Sequence, residues 1–135
     1  MKRLLSIKYS DNSISLGALL LRLAIGALLM THGYHKLVNF ASLSSKFADP
    51  LHIGSALTLG LAIFAEFFCA IFVLLGLFTR LACIPIIITM AFAVFYAHKG
   101  DFFNTGEKAT LFLLCSIALL FIGPGKVSAD KFAGK

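Results

Sequence analysis

Apolar residues fall in four long runs separated by short polar stretches. That pattern predicts four helices, over about 16–37, 50–78, 80–98 and 105–122, in a single domain spanning 1–135. The first run, LGALLLRLAIGALLMTHGYHKL from Leu16 to Leu37, is long enough to cross a bilayer, since about 20 apolar residues rising about 1.5 Å each span the hydrocarbon core. Yet it carries Arg22 and closes on Thr31, His32, His35 and Lys36. A charge at membrane depth costs at least ~2.5 kcal/mol unless it is paired or wetted, so this run must face protein. At about 100° per residue, Gly26, Leu29, Gly33 and Lys36 all lie within about 40° of the Arg22 direction. One narrow stripe therefore joins both cations to two glycines that let another helix approach.

The second run holds Glu66 near its middle. Ser55, Ala62, Cys69, Ala70 and Val73 share the Glu66 face, whereas Leu57, Leu61, Phe64, Phe68, Phe72 and Leu75 fall on the other side. Small residues around an acid read as an interior face, and bulky apolar residues as a lipid face. Asp49-Pro50 reads as an N-cap followed by proline in the first turn, and GLFTR, from Gly76 to Arg80, as a tight turn. The third run contains Pro85 early, where a bend is expected. Asn104 and Glu107 have the spacing of a capping box before the fourth run. Between the first two helices, Phe40, Leu43 and Phe47 suggest a short amphipathic piece in the interface. Gly123-Pro124-Gly125 stops the fourth helix, leaving a polar, basic tail.

Composition sharpens the class. Hydrophobic residues make up 59% of the chain and charged residues 13%, so most of the surface cannot face water. The expectation is an all-α, polytopic membrane four-helix bundle. A net charge of +6 is then a matter of topology and anionic headgroups, with no nucleic-acid partner implied. Four spans put both termini on one side with Lys2, Arg3, Lys8, Arg80, Lys126, Lys131 and Lys135, against Lys36, Lys46, Lys99 and Lys108 on the other. That bias places both termini in the cytoplasm. The start of the chain superficially resembles a signal peptide, but its apolar run is too long and holds Arg22, so it reads as a retained first helix. Cys69, Cys83 and Cys115 show no CxxC spacing and read as small buried hydrophobes.

The candidate chemistry lies in the intramembrane polar residues. Arg22 and Glu66 are expected to meet as an ion pair or through water, either to fix helix pairing or to serve function. His32, His35, His52 and His98 all fall near the outer interface, where histidine marks helix ends, moves protons or bonds a carbonyl. Of these, His32 and His98 are best placed to point inward, while His35 falls off the interior stripe. No spacing guarantees a metal site, so none is expected. Glu107, near His98, is either a cap or an acid of the same end. Tyr34, Phe95, Tyr96, Phe102 and Phe103 gather there too, as an aromatic belt or as the lining of a pocket.

The pattern RLAIGALLMTHGYHKL from Arg22, then Glu66 followed by LLGLFTR, then His98 and Glu107 before an apolar helix, then GPGKVSAD from Gly123 to Asp130, resembles the DoxX family along nearly the whole chain. The resemblance implies a bacterial four-helix inner-membrane protein with a redox connection, the family's name coming from a subunit linked to thiosulfate:quinone oxidoreductase. Its polar positions map onto Arg22, His32, Lys36, Glu66, Arg80, His98 and Glu107. It supplies no settled catalytic residue. The leading expectation is a quinone-linked or redox-complex membrane subunit, with quinone the candidate cofactor and a ligand or proton-relay site drawn from Arg22, His32, Lys36, Glu66, His98 and Glu107. The alternatives are a scaffold whose basic tail docks a soluble partner, and a small-solute or proton pathway built by oligomers. No flavin, haem or nicotinamide motif is present.

Overall fold

The computed structural model describes residues 1–134; Lys135, counted above among the basic residues of the tail, lies outside them. The described residues are helical and contain no strand. Helix α1 is Asp11–Val38, α2 is the short Phe40–Leu43, α3 is Ser55–Leu75, α4 is Thr79–Ala97, α5 is Glu107–Ile122 and α6 is the short Ala129–Phe132. Helices α1, α3 and α4 are long and apolar enough to cross a membrane. The fourth long helix, α5, has 16 residues and completes the bundle. Helix α1 packs on α3 and α5, and α4 on α3 and α5, in an up-and-down ring.

The interior follows from the two stripes. Arg22, Gly26, Leu29 and Gly33 are all buried on α1. A Cβ on Gly26 would stand 2.7 Å from the Leu74 side chain, and one on Gly33 would stand 2.6 Å from the backbone of Glu66 and Phe67. Both glycines therefore mark where α1 and α3 touch backbone to backbone. On α3, Ala62, Glu66, Cys69, Ala70 and Val73 are buried, while Leu57, Leu61, Phe64, Phe68, Phe72 and Leu75 are exposed. The exposed residues form the outer apolar face that lipid must cover. Cys69 and Cys83 lie in the apolar core with Ile86 and Leu119.

Several boundaries move for local reasons. Helix α1 begins at Asp11 rather than Leu16, because the Ser10 hydroxyl accepts the Ser13 N–H as an N-cap. Helix α3 begins at Ser55 rather than Pro50. His52 and Gly54 have positive φ, and the Asp49 carboxylate accepts the N–H groups of Ile53 and Gly54 at 3.0 and 2.8 Å. Asp49 thus organises a turn before the helix instead of capping the helix itself. Gly76 at φ +72° ends α3 with its N–H bonded back to Phe72 and Val73. Asn104 and Glu107 form no capping box: the Asn104 amide donates to Asp101, and Gly106 occupies the N-cap position of α5. Helix α4 stays α-helical through Pro85 up to Phe92.

Candidate functional site

The two ends of the bundle use their polar groups differently. At the end carrying both termini, Arg22 is 3% exposed and does not meet Glu66. The expected Arg22–Glu66 pair is replaced by bonds to main-chain carbonyls. Nε donates to Val73 O at 3.0 Å, Nη2 to Leu74 O at 2.9 Å, and Nη1 to Pro124 O at 3.0 Å and also to Val127 O. Val73 and Leu74 belong to the last turn of α3, whose carbonyls carry the partial negative charge of a helix C-terminus, and Val73 O also accepts the Gly76 N–H at 3.1 Å. The guanidinium fork matches several such acceptors at once. Pro124 and Val127 belong to the tail, which folds back under the bundle. There Asp130 accepts the N–H groups of Phe78 and Thr79 at 2.9 and 3.2 Å, and its own N–H donates to Gly76 O at 2.9 Å. Asp130 thereby caps α4, and the tail is part of the fold.

At the opposite end the ion pair is Lys36–Glu66. Helical spacing brings this about. Gly33 presses α1 against the backbone at Glu66, and Lys36 lies about one turn further along the same stripe. Glu66 is 4% exposed, so its carboxylate requires a partner. It also sits inside a π-helical turn, Phe64–Cys69. A second π-helical turn, Ala93–Ala97, ends α4. Such turns are rare and concentrate at functional sites.

The Lys36–Glu66 pair lies between two cavities. One, of about 240 Å³, has a polar wall of His32, Lys36, Glu66, His98, Thr105 and Lys108, closed by Leu29, Met90 and Phe112. The second, of about 340 Å³, is walled mainly by apolar residues of the 47–53 connector, α3 and α4. Lys36, Glu66, Ala93 and His98 line both. The His32 ring meets Phe112 edge-on, with centroids 5.9 Å apart. Of the residues singled out from sequence, His32, Lys36, Glu66 and His98 share this site. Arg22 lies at the other end of α1, and exposed Glu107 lines neither cavity. Arg80 is at the termini end, donating to Phe121 O at 3.3 Å. Thr105 and Lys108 are the polar wall residues that sequence reasoning missed; their positions beside Glu107 at the start of α5 were the available signal. Among the described residues no group of three or more His, Cys, Asp or Glu side chains is arranged to hold a metal ion.

A model of the DoxX family matches residues 17–99, a span that includes Arg22, His32, Lys36, Glu66 and His98. An uncharacterized protein of Haemophilus influenzae is 31% identical over 121 residues, covering 82% of this chain and 85% of that one. No solved structure matches the chain.

Proposed function

The chain belongs to the DoxX family of membrane proteins, and from that premise we propose that it is a redox-linked membrane subunit whose polar cavity receives a small redox molecule, with a quinone headgroup the favoured ligand. The observation that carries this reading is the convergence of His32, Lys36, Glu66 and His98 on one cavity. His32 and Lys36 are neighbours one turn apart on α1, but Glu66 on α3 and His98 after α4 join them only through the tertiary fold. Intramembrane ionisable groups that face a cavity mark ligand or proton sites. In this reading His98 or His32 donates to a ligand carbonyl, and Lys36–Glu66 holds or passes a proton. Arg22 takes no part in the relay, because its donors are engaged by carbonyls at the other end.

We place the termini end in the cytoplasm of a bacterial inner membrane, so the cavity opens near the outer leaflet. The scaffold alternative keeps an exposed Lys126 and Lys131 for a partner, although Ser128 and Asp130 between them are buried in the fold. The test is quinone binding in proteoliposomes. Glu66→Gln and His32→Ala should weaken binding by roughly 10-fold, the size of one lost hydrogen bond to a charged group. Equal binding in all three proteins, or none in any, would remove the proposal.

A further inference from the structure

The second cavity has no role in the reading just given, and its form bears on what the ligand must be. Its wall residues Leu61, Ile88, Phe92 and Tyr96 are 50%, 53%, 38% and 50% exposed on the outside of the bundle. A cavity whose walls reach the lipid-facing surface opens sideways into hydrocarbon. It also has depth. From Ala97 at the end of α4 to Ile88 is nine residues, or about 14 Å of helix, and Ile88 is the midpoint of the Thr79–Ala97 span. The apolar cavity thus runs from the His98 level down to about the middle of the membrane, while the polar cavity stays at the end of the bundle. The two are joined at Lys36, Glu66, Ala93 and His98.

The polar side has a bias. Lys36 and Lys108 only donate, and the Glu66 carboxylate is engaged by Lys36. The head that fits there is an acceptor: a carbonyl or a carboxylate. Resting on the proposed function, we infer that the ligand is a long-tailed amphiphile that enters laterally from the bilayer. Its acceptor head lies against Lys36, His98 and Lys108, and its single apolar tail lies in the groove between α3 and α4, under the Phe47–Ile53 connector. The tail's solvent on either side of the portal is equally apolar, so the groove contributes placement more than affinity. A ligand delivered from water would need no such groove.

The experiment uses the full chain in liposomes and two photoreactive probes, a decyl-benzoquinone and a dodecanoic acid, each with a diazirine at the tail end. Labelling of the 47–61 or 88–97 segments, abolished by a 20-fold excess of the same molecule without diazirine, is the expected result. The probe that is competed identifies the head as quinone or carboxylate. Ala93→Phe, which fills the junction of the two cavities, should lower that labelling at least 10-fold. The thermal unfolding midpoint of this variant establishes that it is folded. Should it not fold, Leu61→Trp at the exposed mouth replaces it with the same expectation. Labelling spread over Phe64, Phe68 and Phe72 on the outer face, or insensitive to competitor, would overturn the inference. If tail-less dimethoxy-methyl-benzoquinone binds with Glu66 dependence while the tail labels the outer face, the lateral groove is refuted and the redox site stands.

Discussion

Arg22 and Lys36 lie on one stripe of one helix, yet the protein treats them as different objects. Arg22 is surrounded by main-chain acceptors from α3 and the tail, and every acceptor is fixed in space by secondary structure or by a turn. Lys36 meets one carboxylate at the wall of a cavity, with its side chain 24% exposed. The first arrangement satisfies the ion with dipoles that cannot titrate. The second satisfies it with a single side chain at a cavity wall. The difference teaches where to expect rigidity and where to expect chemistry. The termini end is a lock made from main-chain carbonyls and helix caps, and the opposite end is a polar chamber with an ion pair in its wall.

The largest effect should come from breaking the lock. Arg22→Met takes the guanidinium from the carbonyls of Leu74, Pro124 and Val127, and from Val73 O, which keeps only the Gly76 N–H; it should cost about 3–5 kcal/mol of stability in detergent. Arg22→Lys should recover only part of this, because an ammonium cannot match the fork. A thermal midpoint unchanged in Arg22→Met would end the distinction between the two ends. Next comes Gly33→Ala. Its new Cβ meets the backbone of Glu66 and Phe67 at 2.6 Å, so α1 and α3 must part, at about 1–3 kcal/mol. Ligand binding should fall with stability here, unlike in the Arg22 variants that still fold, since the Lys36–Glu66 geometry depends on this approach.

A smaller loss is expected from Asp130→Ala, about 1 kcal/mol for a lost helix cap. It should raise amide exchange at Phe78 and Thr79 and leave binding in the cavity unchanged. The smallest effect concerns the connector over the chamber. Partial desolvation pushes the Asp49 carboxyl up, but the N–H groups of Gly54 and Ile53 and the Thr58 hydroxyl outweigh it and hold its pKa below the ordinary value. A depressed carboxylate contributes its order above the unfolded pKa and loses it as pH falls through the folded one. Exchange protection at Ile53 and Gly54 should therefore be flat from neutral pH to the ordinary carboxylate range and disappear below it. In Asp49→Asn that acid-dependent change should be absent.

Much of the architecture was legible before any coordinates, because membrane helices advertise their faces. The small-residue side of α3 and the Arg22–Gly26–Gly33 stripe of α1 follow from helical periodicity and from the cost of putting charge or backbone against lipid. The cavity was half legible. His32 and His98 could be placed at one end of the bundle from their positions in the runs, and Lys36 and Glu66 were suspect as charges in apolar sequence. Their pairing was not legible. Arg22 and Glu66 were expected to meet as opposite charges inside apolar runs, an expectation that did not allow for main-chain carbonyls as partners.

The amino-acid sequence alone determined the number of long helices, their inner faces and the need for every buried charge to find a complement, since these follow from local periodicity and the solvent. Only the tertiary structure decided which complement each charge found. That choice turns on a few ångströms of helix offset and on a tail that folds back from the far end of the chain: Pro124 and Val127 reach Arg22 across more than 100 residues. No local pattern encodes such a meeting, because its free energy arises from groups that become neighbours only after the bundle has closed.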